Sequence, residues 1–118
     1  MVIVVGASGY VGQQFVRELR NKDVGLFPLS RSEYDYYSLD ILTDLIKELN
    51  PDFLINCAGY TGKPNVDACE ENQEETWLGN AILPQILAEA CASTNLPWGH
   101  VSSGCIYDGD NGGVGFSE

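Results

Sequence analysis

The feature of this 118-residue chain that most constrains its fold is an apolar run that leads directly into three evenly spaced glycines. The run covers residues 2–5, and Gly6, Gly9 and Gly12 follow it, ahead of an amphipathic stretch. A strand, a glycine turn and a helix in this order bind phosphate groups, because the helix N-terminus offers unpaired N–H groups and partial positive charge. The pattern therefore predicts an α/β fold with a dinucleotide as its ligand.

Each glycine has an expected role in this turn. Gly6 allows a sharp turn, Gly9 lets a pyrophosphate approach the backbone, and Gly12 lets the helix pack close to the strand. The spacing is G-x-x-G-x-x-G rather than the G-x-G-x-x-G of the usual dinucleotide motif, so an ordinary glycine-rich turn remains the alternative. The coenzyme contacts expected from this segment are Gly6, Ser8, Gly9, Tyr10, Val11 and Gly12.

The composition restricts the class of partner. Six Lys and Arg against 17 Asp and Glu give a net charge of −11, which disfavours nucleic acid and anionic membrane surfaces as ligands. An anionic cofactor must then be held by backbone amides and a few cations. The four cysteines form no C-x-x-C pair and predict neither a zinc site nor a disulfide framework, which is typical of a reducing, cytoplasmic environment.

Strand and helix patterns alternate along the rest of the chain. Strands are expected at residues 2–5, 24–29, 52–57 and 96–102, and helices at 11–19, 39–49 and 78–90, with Pro84 as an irregularity. Such alternation predicts parallel pairing with right-handed crossovers. We therefore expect one domain over residues 1–118, a truncated Rossmann-type doubly wound parallel sheet with helices on both faces and ligands at the carboxyl ends of its strands.

The segments after the second and third strands suggest which coenzyme binds. Ser30-Arg31 stands where an acidic residue would normally hold the ribose hydroxyls, and an arginine there can bind a 2′-phosphate, which favours NADP and leaves NAD possible. Asp40 and Ile41 begin the next helix and are expected near the adenine, although Asp40 also suits a helix N-terminus by charge alone. The small residues expected along the nicotinamide side are Cys57, Ala58 and Gly59.

Taken together, the motifs resemble the extended short-chain dehydrogenase/reductases. They are the glycine turn, residues 56–59, Asn80 as a further coenzyme contact in the following helix, and residues 102–107. Within that family the chain is similar to dTDP-4-dehydrorhamnose reductases, and particularly to bifunctional nucleotide-rhamnose synthases, with residues 58–70 as the most specific part. The resemblance implies that NADPH reduces a 4-keto-6-deoxyhexose on a nucleoside diphosphate, coupled to epimerisation at C3 and C5.

The resemblance also implies roles close to the sugar. Ser103 matches the catalytic Ser/Thr whose hydroxyl binds the sugar oxygen, whereas a serine that satisfies strand-end backbone groups is the alternative. Cys105 resembles the cysteine that exchanges the proton beside the keto group in GDP-fucose synthases, and a buried inert cysteine is its alternative. His100 is expected to be a sheet residue rather than a proton donor. Substrate contacts are assigned to Thr61, Lys63 and Asn65, and a solvated loop lysine is the alternative for Lys63.

One motif of the family is absent from the sequence. The proton donor and its helper form a Tyr-x-x-x-Lys pair on the helix after the fourth strand, and the chain contains no such pair. We therefore expect the coenzyme half of a longer reductase, inactive alone, whose missing helix would contribute to a homodimer contact. A non-catalytic NADP-binding regulatory subunit with the same fold is the second hypothesis, because a fold does not prove turnover.

Overall fold

The computed structural model describes residues 1–102 and 108–115, and within them strands alternate with helices. The strands are β1 (Val2–Val5), β2 (Leu26–Leu29), β3 (Phe53–Asn56) and β4 (Trp98–His100). The helices are α1 (Tyr10–Asn21), α2 (Leu39–Leu49), α3 (Ala68–Glu71), α4 (Gln73–Trp77) and α5 (Leu83–Thr94), with a π-helical turn at Leu78–Ile82. The strands form one parallel sheet in the order β2-β1-β3-β4, which confirms the predicted fold class.

The register of the sheet brings the carboxyl ends of the strands to a common edge. Val5 pairs with Leu29 on one side and with Asn56 on the other, and Asn56 pairs in turn with His100. The segments that follow these strands are therefore neighbours, with the glycine turn between the segments after β2 and β3. Open α/β sheets bind their ligands at this edge.

Helices cover both faces of the sheet. α2 and α5 pack against each other and hold most of the core, in which Ile3, Val5 and Leu54 are fully buried. α1 contacts β1 and β2. The crossover from β1 to β2 and the crossover from β2 to β3 run in opposite directions across the sheet. Right-handed connections therefore place α1 and α2 on opposite faces.

Three strands, β2, β3 and β4, are shorter than their sequence patterns predict. At β2 and β4 the reason is that the end of a neighbouring helix uses the flanking backbone. The N–H of Val24 donates to the carbonyl of Leu19 at 2.9 Å and so closes α1 rather than starting β2. In the same way, the N–H of Leu96 donates to the carbonyl of Cys91 at 2.9 Å and closes α5. The predicted strands at 24–29 and 96–102 contract to their sheet-paired centres.

The region between β3 and β4 also differs from the single predicted helix. It contains α3 and α4, which the sequence analysis did not predict, and the π-helical turn precedes α5. Pro84, predicted as an irregularity, lies two residues after the π-helical turn, and because Ile82 and Leu83 keep helical backbone, its missing N–H removes a donor within a continuous helical segment. Among the described residues, no helix has the length and apolar character needed to cross a membrane.

Candidate functional site

The candidate site is the carboxyl edge of the sheet, where two loops that flank the glycine turn each carry a cation. Arg31 follows β2 and Lys63 lies in the loop after β3, whereas the other basic residues lie on or directly after α1 and α2. Both side chains are exposed. A chain with a net charge of −11 thus places positive charge on either side of the turn, where it favours an anionic ligand.

Gly6 and Gly12 give the turn its shape. Gly6 has a φ of +73°, and a Cβ atom there would lie 2.6 Å from the amide nitrogen of Ala58. Only glycine combines this left-handed backbone with so close an approach of two loops. A Cβ atom on Gly12 would overlap the carbonyl oxygen of Gly6 and lie 2.9 Å from the Cα of Ala7. Gly12 therefore packs closely against the turn that follows β1, and α1 also contacts β1 and β2.

The amino end of α1 opens toward this edge. Gly9 begins the helix with extended backbone and no side-chain cap, and the first turn carries no acidic residue. The first helical hydrogen bond joins the N–H of Gln13 to the carbonyl of Gly9 at 2.9 Å, so the amides of Tyr10 and Val11 precede the helical ladder. These amides and the helix dipole favour an anion beside the bare Cα of Gly9.

Other predicted coenzyme contacts lie along the same edge. The side chains of Ser8 and Tyr10 are exposed, and Val11 is 39% exposed rather than packed on the sheet. The carbonyl of Ser8 accepts a hydrogen bond from Nε2 of Gln13 at 2.8 Å, which fixes the middle of the turn. Asp40 and Ile41 are exposed in the first turn of α2. Their role in binding adenine stays a prediction.

The segment after β2 presents Arg31 from a tight turn. The hydroxyls of Ser30 and Ser32 lie 2.7 Å apart and join the two sides of this turn. Burial raises the pKa of Tyr36 above its ordinary value, Tyr37 raises it further, and the positive charge of Arg31 opposes both effects. The guanidinium of Arg31 therefore lies within electrostatic range of the Tyr36 hydroxyl.

A buried carboxamide that the sequence analysis did not assign to the site holds the segment after β3. Oδ1 of Asn56 accepts a hydrogen bond from the N–H of Ala58 at 2.9 Å, and Nδ2 of Asn56 lies 2.9 Å from Nδ1 of His100. Asn56 is 0% exposed, and His100 lies in β4 as predicted. The only sequence signal for this pair is a polar residue at the end of a buried strand.

Asn80 holds the next part of the same loop. Its Oδ1 accepts from the N–H of Tyr60 and its Nδ2 donates to the carbonyl of Tyr60, both at 2.8 Å. A Cβ atom on Gly59 would lie 3.0 Å from Oδ1 of Asn80, so the contact depends on that glycine. Asn80 lies in the π-helical turn, a feature frequent at functional sites. The hydrogen bonds assign it a positioning role, whereas direct coenzyme contact stays a prediction.

The predicted substrate residues share the loop before α3. Thr61 and Lys63 are exposed, whereas Asn65 stabilises its own turn by accepting from the N–H of Asp67 at Oδ1, at 3.0 Å. The two predicted catalytic residues, Ser103 and Cys105, lie outside the described residues.

Two described cysteines are poor candidates for a catalytic base. Burial raises the pKa of the Cys57 thiol, and it raises the pKa of Cys91 to about 11. Both thiols are therefore protonated at neutral pH, and Cys91 is buried in the core. Within the part of the chain that the structure describes, no group of His, Cys, Asp and Glu could hold a metal ion.

Two clefts occur away from the carboxyl edge. One of about 420 Å³ lies where α2 and α5 end, beside Asn50 and Asn95, and one of about 310 Å³ lies on α1, beside Arg17 and Arg20. Neither cleft includes the glycine turn or the segments after the strands.

The chain is similar to a known protein family and to several of its members. The chain matches the family described as RmlD substrate binding domain over residues 1–118. It is 32% identical to a dTDP-4-dehydrorhamnose reductase of Mycobacterium tuberculosis over 96% of the chain and 36% of that protein. It is 36% identical to a trifunctional UDP-glucose 4,6-dehydratase/3,5-epimerase/UDP-4-keto-L-rhamnose-reductase of Arabidopsis thaliana, over 98% of the chain and 18% of that protein.

A solved structure with a related fold holds a coenzyme. It is a dTDP-4-dehydrorhamnose reductase from Bacillus anthracis in complex with NADP, with a TM-score of 0.72 and 27% identity. The match covers 82% of this chain and 34% of that one. The chain thus spans well under half the length of the relatives it matches.

Proposed function

Because the chain belongs to the family of the RmlD substrate binding domain, we propose that it forms the NADP(H)-binding part of a nucleotide-sugar reductase. The observation that carries the proposal is the glycine turn. Its backbone approaches Ala58 so closely that only Gly6 fits, and the uncapped amino end of α1 lies beside it. A pyrophosphate needs such a combination of bare backbone and helix amides.

Each part of the edge has a task in holding the coenzyme. The amides that begin α1 bind the pyrophosphate, and Arg31 binds the 2′-phosphate. The backbone of Ala58 and Gly59 lies along the nicotinamide-side ribose. When bound, NADPH supplies the hydride that reduces a keto group. The residues of this chain bind and orient that coenzyme, and they place Lys63 where a substrate diphosphate can approach.

The proposed substrate is a nucleoside-diphosphate 4-keto-6-deoxyhexose, and the proposed product is a nucleotide-linked rhamnose formed by 3,5-epimerisation and 4-reduction. The names of the reductase and epimerase relatives support this choice. In a polypeptide that carries the complete site, Cys105 serves as the base for epimerisation and Ser103 binds the C4 oxygen. Cys105→Ser should then suppress deuterium uptake at C3 or C5 while reduction of a ready-made keto sugar continues. The chain lacks a Tyr-x-x-x-Lys pair, so it should bind NADPH without turnover.

The proposal is tested by Gly9→Val. A Cβ atom on Gly9 would lie 3.3 Å from the carbonyl oxygen of Gly6, which a small shift accommodates, and its methyl groups would fill the space beside the α1 amides. Fluorescence titration should show NADPH binding to the unchanged chain and none to the variant. Gly25→Val is the matched control, because a Cβ atom there meets only Met1 at 3.7 Å, away from the edge. Equal binding to all three proteins would refute the proposal.

A further inference from the structure

We infer that His100 is a positioning residue of the coenzyme site, which acts through Asn56 to fix the backbone amide of Ala58. The inference rests on the proposed NADP(H) function and adds a residue to it. The three groups form a short chain of hydrogen bonds that runs from β4 to the turn after β3. Both links in this chain are 2.9 Å long.

The orientation of the Asn56 carboxamide follows from its partners. A backbone N–H can only donate, so the atom of Asn56 that faces the Ala58 amide is the acceptor Oδ1. Nδ2 therefore faces His100 and donates to its Nδ1, which must be unprotonated. The ring hydrogen of neutral His100 is consequently on Nε2. Among the described residues, Asn56 is the one polar residue that is fully buried, so the hydrogen bonds of its carboxamide are made by protein groups.

The position of Ala58 matters because the glycine turn rests against it. A Cβ atom on Gly6 would lie 2.6 Å from the nitrogen and 2.8 Å from the Cα of Ala58, so the two backbones are in direct contact. Any displacement of Ala58 changes the surface that faces the coenzyme beside the pyrophosphate turn. The hydrogen bond from the N–H of Ala58 to the carboxamide of Asn56 prevents such a displacement, and His100 holds that carboxamide in its orientation.

The backbone of β4 and the ring of His100 contribute separately. The N–H of Val101 donates to the carbonyl of Asn56 at 2.9 Å, and this ladder bond does not need the imidazole. The side chain of His100 is exposed, so its removal leaves the hydrophobic core intact. The ring adds one acceptor, Nδ1, aimed at a buried amide hydrogen, and its centroid lies 6.3 Å from that of the Trp98 ring.

Two substitutions separate the acceptor from the bulk of the ring. His100→Asn keeps an acceptor, because Oδ1 of asparagine occupies the place of Nδ1 of histidine. His100→Leu keeps comparable bulk and removes the acceptor, leaving Nδ2 of Asn56 without a partner. Loss of one hydrogen bond of this kind should weaken NADPH binding about three- to tenfold in the leucine variant. The asparagine variant should bind NADPH as the unchanged chain does.

The test combines NADPH titration with two measurements made without coenzyme. His100 is the sole histidine, so ¹⁵N chemical shifts of the imidazole report its tautomer without overlap, and hydrogen on Nε2 is expected. Hydrogen exchange at the Ala58 amide should be protected in the unchanged chain and in His100→Asn, and should become faster in His100→Leu.

The outcomes separate this inference from the proposed function. Faster Ala58 exchange together with weaker NADPH binding in His100→Leu, both restored in His100→Asn, supports it. Equal NADPH affinity in the three proteins overturns the inference while the proposed function stands. If the ¹⁵N shifts place the hydrogen on Nδ1 of His100, Nδ1 cannot accept from Asn56, and the inference is overturned whatever the NADPH affinities of the variants are. Failure of the unchanged chain to bind NADPH overturns the proposed function, and the role of His100 in the coenzyme site falls with it.

Discussion

Arg31 is the residue on which coenzyme choice should depend, because it alone places a guanidinium at the end of β2. A 2′-phosphate bound there gains a charge-assisted hydrogen bond, and solvent exposure of the side chain keeps the gain near the lower end of its usual range. Arg31→Ala should weaken NADPH binding by about 1.5 kcal/mol and leave NADH binding almost unchanged. Calorimetric titration with both coenzymes measures the difference.

A second arginine substitution provides the control for Arg31→Ala. Arg20 is also exposed but lies in the last turn of α1, away from the carboxyl edge. Arg20→Ala removes the same net charge from the chain and should leave both affinities unchanged. If Arg31→Ala weakens NADPH and NADH equally, Arg31 does not bind the 2′-phosphate.

Residues that belong to a local motif are the ones a sequence reveals. Gly6 and Gly12 stand in a local motif, and their roles in the turn follow from spacing within one strand-turn-helix unit. The pairing of Asn56 with His100 joins positions 44 residues apart and depends on the β3–β4 register, which no local pattern specifies. The burial of Asn56 is likewise a property of the folded sheet, so sequence reasoning found the motif around it but missed its function.

At the scale of elements, the π-helical turn holds the loop after β3 in position. It presents Asn80 so that one carboxamide satisfies both backbone groups of Tyr60. Asn80→Ala should lower the free energy of unfolding by about 1–3 kcal/mol, since two hydrogen bonds of ordinary net strength are lost. Urea denaturation measures this loss, and hydrogen exchange at the Tyr60 amide should accelerate.

Gln85→Ala is a suitable control for the Asn80 substitution. Gln85 lies in α5, is exposed, and its side chain bonds only to Glu89 among the described residues, at 3.0 Å, so its removal should change stability by a few tenths of a kcal/mol. Unchanged Tyr60 exchange in Asn80→Ala would show that the loop after β3 holds its position without the carboxamide.

Element type is more predictable here than element boundaries. Apolar periodicity locates α1 and α2, and alternation of strands with helices gives the parallel sheet. β2 tolerates Pro28 because it is an edge strand, a fact that only the strand order reveals. The short helices α3 and α4 have no apolar stripe long enough to detect. α3 follows the turn that Asn65 and Gly62 build, and α4 packs against α3 and the π-helical turn, its neighbours in sequence.

At the scale of the whole molecule, the sheet is covered unequally. Leu54 is fully buried beneath α2 and α5, whereas its neighbours Phe53 and Ile55 point to the face of α1 and are only partly buried. The sequence predicts an apolar run at residues 53–55 but does not distinguish the two faces. The burial of the two faces of β3 differs because α1 contacts β1 and β2, toward the opposite edge of the sheet from β4.

Net charge is the other property of the whole molecule that should be measurable in binding. The protein carries −11 and NADPH carries several phosphate charges, so their long-range interaction is repulsive although Arg31 and Lys63 are locally attractive. Raising ionic strength from about 0.01 M to about 0.1 M shortens the screening length from ~30 Å to ~10 Å. The protein measures 46 × 35 × 28 Å, so this change removes the field of distant acidic residues before that of nearby cations.

The association rate constant for NADPH should therefore rise about two- to tenfold over this range of salt, measured by stopped-flow fluorescence. The dissociation rate constant should rise as well, because salt also screens the contact between Arg31 and the 2′-phosphate. NADH, which lacks that phosphate and its charge, should show a smaller rise in association under the same conditions. An association rate that falls with salt would mean that the two edge cations, rather than the net charge, govern the approach of the coenzyme.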